Sequence, residues 1–160
     1  MNRYGLVAFV LLLILILSGC ERQDGEERSG KYKLCVNDFI FSVGDDADKV
    51  VLALGEPNYF SVAPSCAGVG NDELYVYNGF RITAHRDGKS AEISIIELTN
   101  DTLSTLEGIC IGDSEDRIAE IYGNGKIFTG GIEYGRDSCC LRFFLSDGRV
   151  VGIKYIKNGE

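Results

Sequence analysis

The sequence predicts an α+β fold: two tandem repeats, each a short helix followed by an antiparallel β-meander. Three observations predict it. Residues 44–55 can be laid on 112–123 at a constant offset of 68, with Gly44, Asp45, Asp48 and Gly55 matched by Gly112, Asp113, Asp116 and Gly123. After each copy, apolar and polar residues alternate in runs broken by Asn-Gly or Asp-Gly, the pattern of hairpins. At 160 residues and 45% hydrophobic, the chain can bury one ordinary core or two small ones sharing a sheet.

The helix opens each copy. Asp45 and Asp113 are expected as N-caps that accept from free amides of the first turn. Asp46, Asp48, Glu115 and Asp116 suit the positive end of the helix dipole. Ala47, Val50, Val51 and Leu54 recur at i, i+3, i+4 and i+7, one apolar stripe, and Ile118, Ile121 and Tyr122 repeat it over a shorter arc. Gly55 and Gly123 stand where a left-handed C-cap is wanted, and Pro57 blocks continuation.

Strands follow. In the first copy, 74–77 and 80–84 alternate around Asn78-Gly79, and 92–98 follow the Asp87-Gly88 turn. In the second, 139–145 and 150–156 flank Ser146-Asp147-Gly148. The joint falls near Asn100-Asp101, giving a first repeat over 34–100 and a second over 101–160. One helix on so few strands covers little core, which favours the copies packing as one unit.

Ahead of the repeats, Arg3 and the unbroken apolar run 6–17 predict an export signal over 1–19. Its 12 apolar residues fall short of the roughly 20 that a spanning helix needs. Leu17-Ser18-Gly19-Cys20 resembles the lipobox of bacterial lipoprotein precursors. That resemblance implies a diacylglyceryl group on the Cys20 thiol and cleavage before it. Two acyl chains anchor stably, at roughly 0.8 kcal/mol per buried methylene. The location this implies is the cell membrane, lipid-anchored on the extracytoplasmic face. Residues 20–33 are then a lipidated Cys and a charged tether too polar to pack.

The tandem pattern carries a second resemblance. Gly108-Ile109 through Gly112-Asp113-Ser114 to Tyr122-Gly123, with Val43 to Gly55 and Pro57 in the first copy, is similar to the small α+β repeats of β-lactamase-inhibitor-protein and BamE-type families. The stretches around Ser65-Cys66-Ala67, Tyr75 to Phe80 and Thr105 to Ile109 also look like uncharacterised clostridial lipoproteins. Those two named families bind other proteins, so the resemblance implies a binding role; no binding motif of theirs carries over to this chain.

Several function classes are excluded or weakened. With 24 acids against 16 bases and a net charge of −8, the chain lacks the clustered bases that hold phosphates, so nucleic acid is excluded as a partner. With Cys20 acylated, Cys35, Cys66, Cys110, Cys139 and Cys140 remain. Cys66 with Cys139 or Cys140 is a candidate disulfide, with Cys35 an alternative partner and Cys110 a buried thiol. No C-x-x-C or His pair suggests a metal, and capping accounts for the acids around Asp45 and Asp113. Tyr75 and Tyr77 share one face of a strand; they form either an exposed recognition surface or part of the core.

The function expected is therefore a membrane-anchored, non-catalytic protein-binding module of the envelope, with no cofactor. Its partners would be the membrane, through the N-terminal lipid, and another envelope protein. The alternative is a thiol-redox enzyme using Cys139 and Cys140 with His85.

Overall fold

The computed structural model describes residues 30–66 and 68–158. The export segment, Cys20 and most of the expected tether lie outside the described residues.

The first elements among the described residues form a hairpin, β1 (Leu34–Val36) and β2 (Phe39–Phe41). Asn37 and Asp38 turn it at φ 50° and 65°, the paired left-handed residues that suit the twist of a two-residue turn. Helix α1 (Ala47–Leu54) leads into β3 (Tyr59–Pro64), β4 (Asn71–Tyr77), β5 (Phe80–Asp87) and β6 (Ser90–Leu98). Helix α2 (Glu115–Tyr122) leads into β7 (Lys126–Phe128), β8 (Gly131–Arg136), β9 (Cys139–Ser146) and β10 (Arg149–Lys157).

The strand order is β3-β4-β5-β6-β10-β9-β8-β7, antiparallel at every step. The expected α+β architecture of two helix-plus-meander repeats is thereby corrected. The protein is mostly β: one eight-stranded sheet, one two-stranded hairpin and, among the described residues, two helices of 8 residues each. Tyr155 pairs with Ile96 and Ile153 with Leu98, so main-chain bonding runs straight across the expected 100/101 boundary. The physical reason is edge removal. Two separate sheets would leave β6 and β10 with bare backbone, and pairing them satisfies both.

Both helices and the β1–β2 hairpin cover one face of this sheet. Phe41, Ile82, Ile93, Ile96, Ile118, Phe143 and Tyr155 are fully buried beneath them. Each such side chain contributes about 1.5–3 kcal/mol of apolar burial.

The helix ends show how the 68-residue correspondence acts. Asp46, not Asp45, caps α1, accepting from Asp48 N and Lys49 N at 3.1 and 3.3 Å. Ser114, not Asp113, caps α2, accepting from Arg117 N at 3.3 Å. The expected caps instead close the turn before the helix. Asp45 Oδ2 accepts from Ser42 N at 2.8 Å, and Asp113 Oδ2 from Cys110 N at 2.9 Å. The same Gly-Asp pairs stitch each helix start to the sheet: Gly44 and Asp45 exchange bonds with Ile93, and Gly112 and Asp113 with Val150. At the far ends Gly55 and Gly123 adopt φ of 85° and 77°, conformations that a side chain would strain. Tyr77 donates to the Gly55 carbonyl at 3.1 Å and Tyr134 to the Gly123 carbonyl at 2.8 Å.

Candidate functional site

Tyr75 and Tyr77 do share one side of β4, as alternation requires, but it is the covered side. Tyr75 is 7% exposed. Its hydroxyl donates to Glu73 Oε2 at 2.7 Å. Burial, and then the Glu73 carboxylate, push its pKa up to about 12. Tyr77 stacks on Phe80 with centroids 4.9 Å apart. Of the two alternatives for the pair, the rings take core and helix-cap positions, so they offer no exposed recognition surface.

Glu73 anchors the one buried ionic network of the first half among the described residues. Arg86 reaches its carboxylate through Nε at 2.5 Å and Nη2 at 3.1 Å, and reaches Asp48 on α1 at 2.6 Å. The network pins α1 to β4 and β5.

The cysteines are dispersed. Cys35, Cys66, Cys110, Cys139 and Cys140 are all free thiols. Cys66 lies exposed beyond β3, whereas Cys139 and Cys140 are buried on β9. β5, β6 and β10 stand between β4 and β9, which places the two sites roughly 19 Å apart at about 4.8 Å per strand. A disulfide needs Cα atoms within roughly 7 Å, so the candidate Cys66 bridge is out of reach in this fold. Burial raises the pKa of Cys139 and Cys140, opposite to what a reactive thiolate requires. His85 sits on β5, three strand spacings or roughly 14 Å from β9, with Nδ1 3.0 Å from Asp72 Oδ1. The Cys–His pairing of the alternative reading is therefore not assembled. Cys20 lies outside the described residues.

The surfaces that remain open lie at the sheet's edges and on its uncovered face. β3 is one edge. Tyr59, Phe60 and Val62 are 58%, 48% and 52% exposed, and the six residues YFSVAP carry no charge. Pro57 and Gly55, at positive φ, end α1 and deliver the chain to this edge. A groove of about 500 Å³ runs beside it, lined by Glu56, Pro57, Tyr59, Phe60 and Tyr75. Phe60 and Tyr75 line it with ring centroids 4.8 Å apart. The opposite edge, β7, is three residues long and begins with Lys126. A groove of about 400 Å³ beside it is lined by Tyr32, Tyr122, Tyr134, Lys126 and Arg136.

Across the uncovered face runs a row of cross-strand neighbours: Val76, Arg81, Glu97, Lys154, Arg142, Glu133 and Lys126. Within it Arg81 and Lys154 flank Glu97 at 2.6 and 3.5 Å, and Arg142 meets Glu133 at 2.5 Å. Opposite charges at neighbouring positions solubilise this face without a helix layer. The uncharged run at 59–64 lacks clean alternation and ends in Pro64, so periodicity passed over it.

No family model matches the chain, and no curated protein matches it. Among solved structures, a cysteine-rich secretory protein from Staphylococcus aureus subsp. aureus Mu50 aligns with a TM-score of 0.55 and 12% identity, over 81% of this chain and 48% of that one. An extracellular protein containing a SCP domain from Bacillus anthracis str. Ames aligns with a TM-score of 0.45 and 16% identity, over 86% of this chain and 49% of that one. The chain thus spans about half the length of each. At 12% identity the staphylococcal protein shows a shared fold alone. That finding corrects the expected kinship with β-lactamase-inhibitor-protein and BamE-type repeats. The lipoprotein resemblances, clostridial ones included, gain no support from any match.

Proposed function

We propose that this protein is an exported, non-catalytic protein-binding module held at the outer face of the cytoplasmic membrane by acylated Cys20. One observation carries the binding role: an uncharged edge strand exposes Tyr59, Phe60 and Val62 beside an aromatic groove. Natural sheets blunt such edges with charge, bulges or covers, and this one is left open. The secretory character named for the staphylococcal relative in fold supports an extracytoplasmic site, as does the apolar run 6–17. Dispersed, high-pKa thiols support a role without thiol chemistry.

Two experiments test this reading. Cells fed an alkynyl fatty acid should label the wild-type chain and not Cys20→Ser, which should leave the membrane fraction. Label-free wild type, or a membrane-bound Cys20→Ser form, overturns the anchor. A photo-crosslinking residue at Tyr59 in living cells should give one discrete adduct with another envelope protein. Its absence overturns the binding role.

A further inference from the structure

We infer that β3 is a strand-addition site whose ligand is an extended, positively charged segment of another protein with apolar side chains at alternate positions. The inference rests on the binding-module reading and names the partner's chemistry.

Three observations support it. First, β3 pairs only with β4, so one side of its backbone meets no strand among the described residues. Its six residues can offer a new strand a run of main-chain bonds, with Pro64 confined to the end where its missing N–H matters least. Second, Phe60 and Val62 stand on the same side as Tyr75 and Glu73, their register partners on β4. The helix layer does not reach over them, since they are 48% and 52% exposed. An added strand would therefore lay every second side chain on that shelf. Third, charge selects the partner. Glu56, at the groove mouth, is exposed and has no ion-pair partner among the described residues. Nearby bases are already neutralised: Arg81 by Glu97, Arg86 by Glu73 and Asp48, Lys49 by Asp46. The whole chain carries −8.

That charge balance decides among occupants. A second copy would bring another −8 toward the first. Residues 21–29 of the same chain contain four acids against two bases and no apolar side chain, so they lack the alternating face. A basic extended segment meets both requirements.

The test uses the full chain purified in detergent and three synthetic nine-residue peptides. One alternates valine with threonine and carries lysine at both ends; the second carries glutamate instead; the third repeats the first with a central proline. Hydrogen exchange followed by mass spectrometry should show the lysine peptide slowing exchange across 59–64 at least tenfold. The glutamate peptide should bind at least tenfold more weakly, and the proline peptide should give no protection. Glu56→Gln should narrow the lysine-to-glutamate preference without changing exchange elsewhere. Equal binding of lysine and glutamate peptides overturns the charge selection. Protection by the proline peptide, or none by the lysine peptide, overturns strand addition. A dimer in sedimentation, with 59–64 protected before peptide is added, assigns the edge to a second copy and overturns the proposal. A cellular adduct from Tyr59 without peptide protection refutes this inference and leaves the binding role standing. Protection without an adduct shows that the edge can add a strand but overturns the binding role, and with it a natural ligand of this kind.

Discussion

In the first half of the sheet, Glu73 is 5% exposed and takes hydrogen bonds from Tyr75 and from two nitrogens of Arg86. In the second half, Glu107 plays a similar part for Tyr122, which donates to it at 2.7 Å, but Glu107 is exposed. Its base, Arg136, stands 3.6 Å away and lies over the Tyr32 ring instead, 4.2 Å from its centroid. The same three groups, tyrosine, carboxylate and arginine, thus form a closed network on one side and an open one on the other. The edges differ in the opposite sense. β3, next to the closed network, is long and bare, whereas β7 is short and begins with a lysine, and Arg142 covers its Phe128. Rigid backing behind an exposed edge is what a docking strand requires, because ordering on binding costs affinity.

Four outcomes would sharpen or break this contrast. The largest is expected at Glu73. Glu73→Ala leaves Arg86 half-paired and Tyr75 without an acceptor, and should lower unfolding free energy by about 3–5 kcal/mol. Glu107→Ala should cost no more than about 1 kcal/mol. Urea denaturation of both variants checks this, and equal losses would dissolve the distinction. Next comes Tyr155, 1% exposed, whose hydroxyl has no hydrogen-bond partner among the described residues. Tyr155→Phe should stabilise the protein by about 1–2 kcal/mol in the same assay, because a buried unpaired hydroxyl is a cost. Smaller again is Ser114→Ala, which removes the α2 cap and should cost about 1 kcal/mol. The last is a pH effect. Tyr75 has a folded pKa raised from 10 to about 12, so its contribution is fully present below pH 10 and lost as pH rises toward 12. Tyr75→Phe should flatten that part of an alkaline stability profile; an unchanged slope would remove Tyr75 as the cause.

Local features were readable from the sequence, and long-range ones were not. Gly55, Gly123, Asp87-Gly88 and Asp147-Gly148 mark their turns because only a few residues tolerate those backbone angles. The shared face of Tyr75 and Tyr77 follows from alternation, but which face the helices would cover depends on pairing between residues far apart in sequence. The same holds for the joining of β6 to β10, which turned two expected repeats into one sheet. β8 escaped notice because Gly131 and Gly135 weaken its pattern, and β7 because three residues hold no periodicity. The candidate edge carries no motif at all: its significance lies in what the fold leaves beside it.

The N-terminal entry has a mechanical consequence. Tyr32 donates its backbone N–H to Cys139 Sγ at 3.3 Å, sits beneath Arg136 and packs against Tyr122. The first of the described residues are thus clamped to the half that is synthesised last. Tension applied at the front end would load the β8–β9 corner, where Cys139 on β9 stands about 24 Å from β3 across five strand spacings. A molecule moored by its leading end would accordingly hold its bare edge several strands away from the mooring.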